Sequence, residues 1–169
     1  MSSIRAQYQK HGVKSFYTQY GNTYSNPHEN SIKECLNVAM DAWNPTFSSV
    51  LDLACGSGEV TANIKAKDVT GVDPYTCEAY YNRTGKIALP HTFDDIANGA
   101  LIDSYDIIVC SFAMHLIESS RLPNLCYALS QISDKLLIIT PNKKPDINWY
   151  WDLKGEIVVN RVRARWYEH

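Results

Sequence analysis

The stretch Val50-Leu-Asp-Leu-Ala-Cys-Gly-Ser-Gly-Glu59 decides the reading of this chain. It describes a buried strand over 49–53, a glycine turn, and a helix over roughly 58–66. An acid, Asp52, sits inside the strand. Gly56 and Gly58 let the backbone come close to a ligand. A second acid, Asp73, ends the next apolar segment, Val69-Thr-Gly-Val-Asp73. A glycine-rich strand-to-helix turn followed about twenty residues later by an acid describes a site for an adenosine-containing cofactor. The third glycine of a dinucleotide turn is absent, since Glu59, Val60 and Thr61 follow Gly58. No Walker-type phosphate loop occurs either. A carboxylate within the strand suits a ligand that presents an ammonium group better than one that presents a pyrophosphate.

Working outward, strands and helices alternate. Glu29 to Trp43 has helix spacing, with Ile32, Leu36, Ala39, Met40 and Trp43 on one face, and Asn44-Pro45 stops it. The second strand is expected over 69–73, with a helix from near Tyr75. Ile87 to Leu89 reads as a short strand closed by Pro90, and Phe93 to Asn98 as a turn or short helix. Tyr105 to Ser111 and Lys135 to Thr140 are near-continuous apolar runs, as expected of strands covered on both faces. Leu122 to Ile132 between them is helical. Glu156 to Trp166 alternates with period two, which predicts one long strand with unlike faces. The loop from 142 to 155, with Trp149, Tyr150 and Trp151, is expected to form a flap or a dimer contact. The whole is an α/β doubly wound sheet with helices on both faces. It suits one domain over 1–169, in which 1–30 is a lid-like segment ahead of a Rossmann-like core.

The 169 residues are 45% hydrophobic and 20% charged, with a net charge of −2, which gives no global nucleic-acid footprint. Cys35, Cys55, Cys77, Cys110 and Cys126 form no C-x-x-C pair and read as buried thiols in a reducing compartment. The N-terminus has no signal-peptide pattern, and no apolar run nears the ~20 residues of a membrane span. Cytoplasm, or nucleus, is the expected location. The five histidines are scattered without metal-ligand spacing, so no metal is expected.

Four segments together resemble the class I S-adenosylmethionine-dependent methyltransferases: Asp52-Leu-Ala-Cys-Gly-Ser-Gly-Glu59, Val72-Asp73, Asp94-Asp95-Ile96, and Tyr105-Asp-Ile-Ile-Val-Cys-Ser-Phe-Ala-Met-His115. The resemblance covers roughly 48–141. It implies a mostly parallel, seven-stranded-type sheet with an antiparallel C-terminal strand, and S-adenosylmethionine as cofactor. By it, the backbone of Ala54, Gly56 and Gly58 runs under the methionine part, and Asp52 acts near the ammonium end, often through water. Asp73 accepts the ribose hydroxyls. Pro74 and Tyr75 border the adenine. Asp95 takes the adenine amino group, with Asp94 as its rival, and Ile96 packs on the ring. Ser111, Phe112 and Ala113 line the floor beneath the methyl group.

The acceptor is less legible. Ser111-Phe-Ala-Met stands where relatives that methylate adenine N6 or glutamine amides carry Asn/Asp-Pro-Pro-Tyr/Phe. His115 resembles the histidine that many small-molecule methyltransferases carry there, and reads as a base, a cavity wall or a structural residue. In the N-terminal segment, Tyr20, Tyr24, Asn26 and His28 are lid candidates, with Tyr24 and His28 the catalytic ones. Against that, Tyr17, Tyr20 and Tyr24 have the spacing of a helix packed on a sheet edge. Arg161, Arg163 and Arg165 share one strand face, either solvated or facing an anionic substrate, RNA or an acidic partner. A small-molecule acceptor is preferred. The alternatives are an RNA or protein methyltransferase with a partner subunit, and a non-catalytic scaffold of the same fold.

Overall fold

The computed structural model describes residues 4–169. A helical pair comes first, α1 (Ile4–His11) and α2 (Val13–Tyr20), followed by the long α3 (Glu29–Trp43). Then come β1 (Ser49–Leu53), β2 (Asp68–Val72), α4 (Cys77–Thr84), α5 (Phe93–Ala97), β3 (Ile107–Ser111), α6 (Leu122–Ser130), β4 (Lys135–Thr140), β5 (Asp152–Val159) and β6 (Val162–Glu168). One six-stranded sheet has the order β2-β1-β3-β4-β6-β5. The first four strands are parallel, and β6 runs antiparallel to both neighbours.

The pleat sorts alternate residues to opposite faces. Leu51, Leu53, Ile108, Cys110, Leu136 and Ile138 pack with Ile96 and with Leu125 and Leu129 of α6. Val50, Ile107, Val109, Leu137 and Ile139 pack with Ile32, Cys35, Leu36 and Ala39 of α3. That spacing on α3 is the amphipathic stripe anticipated, and Asn44 closes the helix in the left-handed conformation. Asp52 shares the face of Val50, so its carboxylate points beneath the glycine turn.

Four expectations change. The segment after the glycine turn is a series of turns, not a helix over 58–66. Only isolated helical bonds form there, Ala62 N–H to Gly58 O at 2.9 Å and Ile64 N–H to Val60 O at 2.9 Å. The seventh strand position is reduced to a single bridge between Val72 and Leu89. Pro90 has no N–H to continue a ladder, and Ile87 is 82% exposed. The alternating stretch 156–166 is a hairpin and not one strand. Asn160 and Arg161, both at positive φ, turn the chain back between β5 and β6. Alternation continues through such a two-residue turn, so it cannot reveal the turn. The 142–155 loop is no flap: Ile147 and Trp151 are buried in the sheet-side core, and Trp151 Nε1 donates to Cys126 O at 3.0 Å.

Four of the five cysteines are buried and all are free thiols, with Cys77 half-buried. Burial pushes the Cys110 thiol up to about 12 and Cys126 to about 11. Among the described residues no helix is long and apolar enough to cross a membrane.

Candidate functional site

A cavity of about 680 Å³ opens at the C-terminal ends of β1, β2 and β3. This is the switch point of the strand order, where open α/β sheets bind ligands. Its wall includes Leu53, Ala54 and Gly56 after β1, Asp73, Pro74 and Tyr75 after β2, and Ser111 and Phe112 after β3. Ala54 (φ 56°) and Phe112 (φ 53°) are left-handed although neither is glycine. Such backbone costs on the order of 1–3 kcal/mol per residue and concentrates at functional sites.

Asp73 is buried and fixed by the backbone. Its Oδ1 accepts from Tyr75 N–H at 2.8 Å and Thr76 N–H at 3.2 Å, and Oδ2 accepts from Gly56 N–H at 3.3 Å. Burial raises its carboxyl above the usual range, and these hydrogen bonds oppose the rise. Two donors fill the lone pairs of Oδ1, and Oδ2 keeps one for a further donor.

Asp52 is placed differently from the expectation. It does not line the cavity. Its Oδ2 accepts from the Thr61 hydroxyl at 2.6 Å and from Thr61 N–H at 3.1 Å, and the Tyr80 hydroxyl lies 3.0 Å from that of Thr61. Oδ1 is buried without a partner. Burial pushes Asp52 up to about 7, against the Thr61 bonds, and the negative charges of Glu59 and Asp73 add to the rise. The carboxylate holds the segment after the glycine turn in place.

The two glycines also separate. Gly56 lines the cavity, whereas a Cβ on Gly58 would meet Thr84 Cγ2 at 2.7 Å and the Tyr80 ring at 3.3 Å. Gly58 admits α4, not a ligand. Glu59, for which no role was expected, reaches the cavity while only 3% exposed. Its Oε1 accepts from the Ser57 hydroxyl. The signal was present as an acid directly after the turn.

Across the cavity, Asp94, Asp95 and Ile96 form the rim at α5. Thr92 and Asp95 make a capping box: Thr92 Oγ1 accepts from Asp95 N–H at 3.1 Å, and Asp95 Oδ2 accepts from Thr92 N–H at 2.8 Å. Asp95 Oδ1 takes part in none of the hydrogen bonds found among the described residues. Asp94 is bound to Arg121 of α6.

Of the three catalytic candidates, only Tyr24 lines the cavity. Burial holds its phenol well above the ordinary range, so it is neutral and serves as a donor rather than a base. Its ring lies 5.3 Å from that of Tyr17, which stacks on Tyr75 at 6.2 Å and shares a short hydroxyl contact with Tyr8. These contacts lay α2 over the cavity, where Val13, Lys14 and Asn26 complete the cover. Tyr20 is 41% exposed and outside the wall. His28 stacks behind Phe112 at 5.2 Å. His115 lies on a 3₁₀ turn whose neighbours Ala113 and Leu116 line the cavity, but its own ring does not. Its Nδ1 is buried without a partner, and burial lowers its pKa.

A family model described as "Methyltransferase domain" matches residues 28–165. The chain belongs to this family of methyltransferase domains. An uncharacterized protein of Schizosaccharomyces pombe is 32% identical over 228 aligned residues, covering 98% of the methyltransferase and 92% of the relative. A solved protein of Pyrococcus horikoshii superposes with a TM-score of 0.65 at 14% identity, over 98% of this chain and 99% of that one. The magnesium protoporphyrin IX methyltransferase of Synechocystis, solved with bound S-adenosylmethionine, gives 0.55 at 16% identity, over 98% and 93%. An S-adenosylmethionine-dependent methyltransferase of Clostridium acetobutylicum gives 0.52 at 22% identity. The alignment there covers 79% of this chain and 57% of the clostridial one. The fold is that of the class I S-adenosylmethionine-dependent methyltransferases.

The charge of the cavity wall fits such a donor. Glu59 and Asp73 stand in the wall, and Asp52, buried outside it, feels the charge of both. Buried carboxylates without a cation cost several kcal/mol each. A ligand carrying a sulfonium and an ammonium offsets that cost.

Proposed function

We propose that this methyltransferase moves a methyl group from S-adenosylmethionine to a small-molecule acceptor. The observation that carries the reading is one covered cavity with buried carboxylates toward one end and mainly apolar side chains, beside Glu118 and Arg121, toward the other. Asp73 and Gly56 define the first. Ala113, Leu116, Ile117 and Leu125 define the second, with Phe112 between them.

When bound, the donor supplies an electrophilic methyl on a sulfonium. The chain's own residues then bind and orient. Asp73 would accept a ribose hydroxyl on the remaining lone pair of Oδ2. Asp95 would take the adenine amino group on Oδ1, with Asp94, whose Oδ1 is likewise left by Arg121, as its rival. Pro74, Tyr75 and Ile96 would flank the ring. Alignment of acceptor and methyl supplies much of the acceleration, so no catalytic dyad is required. Tyr24 offers a hydroxyl proton at the boundary of the two ends. His28 acts only by holding Phe112 in place.

The α2 cover favours a small acceptor over a macromolecule. The arginine face gives the RNA or protein reading little support. Arg163 and Arg165 both pair with Glu156, and Arg165 also donates to Pro145 O at 2.6 Å. Neither they nor Arg161 lines the cavity.

Calorimetric titration with S-adenosylhomocysteine tests the donor assignment. Stoichiometric binding is expected, and Asp73→Ala should weaken it by on the order of 10²-fold or more through lost charge-assisted hydrogen bonds. No binding to folded wild-type protein would overturn the reading. For the acceptor, label from methyl-labelled donor should enter the low-molecular-weight fraction of a cell extract. Label confined to macromolecules would reverse the preference.

A further inference from the structure

We infer that Glu59, and not Asp52, is the side chain that recognises the amino group of the donor's amino-acid portion. The inference rests on the donor reading above. Asp52 Oδ2 is taken by Thr61, and the residue lies outside the cavity wall. Glu59 is in the wall. Its backbone is pinned by Asn63 Nδ2, which donates to Glu59 O at 2.7 Å, and Ser57 holds Oε1. The free oxygen, Oε2, lies 3.0 Å from the point where a Cβ on Gly56 would stand, and a Tyr24 ring carbon lies 3.3 Å from the same point.

Gly56 therefore leaves a gap roofed by a carboxylate oxygen and an aromatic edge. None of the hydrogen bonds among the described residues uses that oxygen. The nearby cation is engaged elsewhere: Arg83 feels the Glu59 charge, but its guanidinium forks onto Glu29, with Nη1 at 3.1 Å from Oε2. A primary ammonium fits the gap, because it supplies a charge-assisted hydrogen bond to Oε2. It also offsets the cost of a carboxylate kept from water. Asp73 borders the same gap, but three backbone amides, those of Tyr75, Thr76 and Gly56, already engage its oxygens, whereas Glu59 Oε2 has no such donor among the described residues. Glu59 would thus select a donor that carries its amino acid.

Two ligands separate the portions of the donor. S-Adenosylhomocysteine has the amino-acid end, and 5′-methylthioadenosine lacks it while keeping adenine, ribose and sulfur. Calorimetry on wild type, Glu59→Gln and Asp73→Asn gives a crossed pattern if the inference holds. Glu59→Gln should weaken S-adenosylhomocysteine by about 10-fold or more and leave 5′-methylthioadenosine within about threefold. Asp73→Asn should weaken both. Retained 5′-methylthioadenosine binding certifies that Glu59→Gln is folded, and Glu59→Asp should show the same selectivity with a smaller loss. Equal weakening of both ligands by Glu59→Gln, or of neither, overturns the role of Glu59. Failure of wild type to bind either ligand overturns the donor reading instead.

Discussion

The two ends of the cavity are built by different means. At the acidic end, Gly56, Glu59, Asp73 and Tyr75 come from two adjacent strand ends, β1 and β2, and backbone amides lock them. At the apolar end, Phe112, Ala113, Leu116, Ile117 and Leu125 come from the segment between β3 and α6, with a cover from α2 that is nearly a hundred residues away in sequence. One end is a fixed pattern of hydrogen bonds, and the other a shape. The difference teaches where specificity can vary. Changing a wall of aliphatic side chains would re-shape the proposed acceptor end without disturbing a single bond to Asp73.

The sharpest way to break this division is to fill the apolar end. Leu116→Trp and Ile117→Trp, made separately, should lower methyl transfer to the low-molecular-weight acceptor by about 10²-fold, the order of loss expected from a misplacement of about 1 Å. Affinity for S-adenosylhomocysteine should stay within about threefold. A parallel loss of donor affinity would show that the ends are not independent.

Gly58 tests the acidic end from behind. At φ 92°, with Thr84 and Tyr80 against its missing Cβ, it tolerates no side chain. Gly58→Ala should destabilise by about 2–3 kcal/mol, lowering the melting temperature by roughly 4–10 °C for a chain of this size. Thr84→Ser, which removes the struck methyl, should restore part of the loss. Donor affinity of the folded variant should be unchanged. A variant of normal stability with poor donor affinity would return Gly58 to the ligand.

Legibility follows the same division. Strand β1, helix α3 and the cavity positions of Gly56, Asp73, Pro74, Asp94, Asp95, Ile96, Ser111 and Phe112 were readable because short local patterns dictate them. The Asp52 position was readable too, but its direction was not. The alternation of β1 sends it to the α3 face, and Thr61, nine residues on, captures it. Residues that enter from a distance were not separable. Tyr24 reaches the cavity and Tyr20 does not, although both sit in the same tyrosine-rich segment, because the stacking of Tyr17 on Tyr75 sets how α2 lies. The arginine face looked like a binding surface because Glu156 is paired to it only by the hairpin. The capping box at Thr92 and Asp95 was in plain view as a Thr-x-x-Asp spacing, and would have fixed the start of α5.

The smallest effect concerns the charge hidden beneath the acidic end. Burial raises Asp52 to about 7, whereas an unfolded aspartate titrates near ~3.9. Between those values the folded chain holds a proton that the unfolded chain has lost. The unfolded state binds fewer protons, so stability falls as pH rises across that window. The contribution is complete below about pH 4 and gone once pH passes the folded value near 7. Asp52→Asn keeps the shape and removes the titration. The difference in stability between wild type and this variant cancels the titrating groups that do not feel Asp52, leaving Asp52 and its coupling to Glu59 and Asp73. Denaturant unfolding at pH 5 and pH 8 should show wild type losing roughly 2–3 kcal/mol relative to Asp52→Asn over that interval. An unchanged difference would mean that Asp52 is ionised throughout, and that Thr61 and Tyr80 compensate its burial in full. The acidic end would then be negative before any ligand enters, and the cation of the donor would meet Asp52 as a charge and not as a neutral acid.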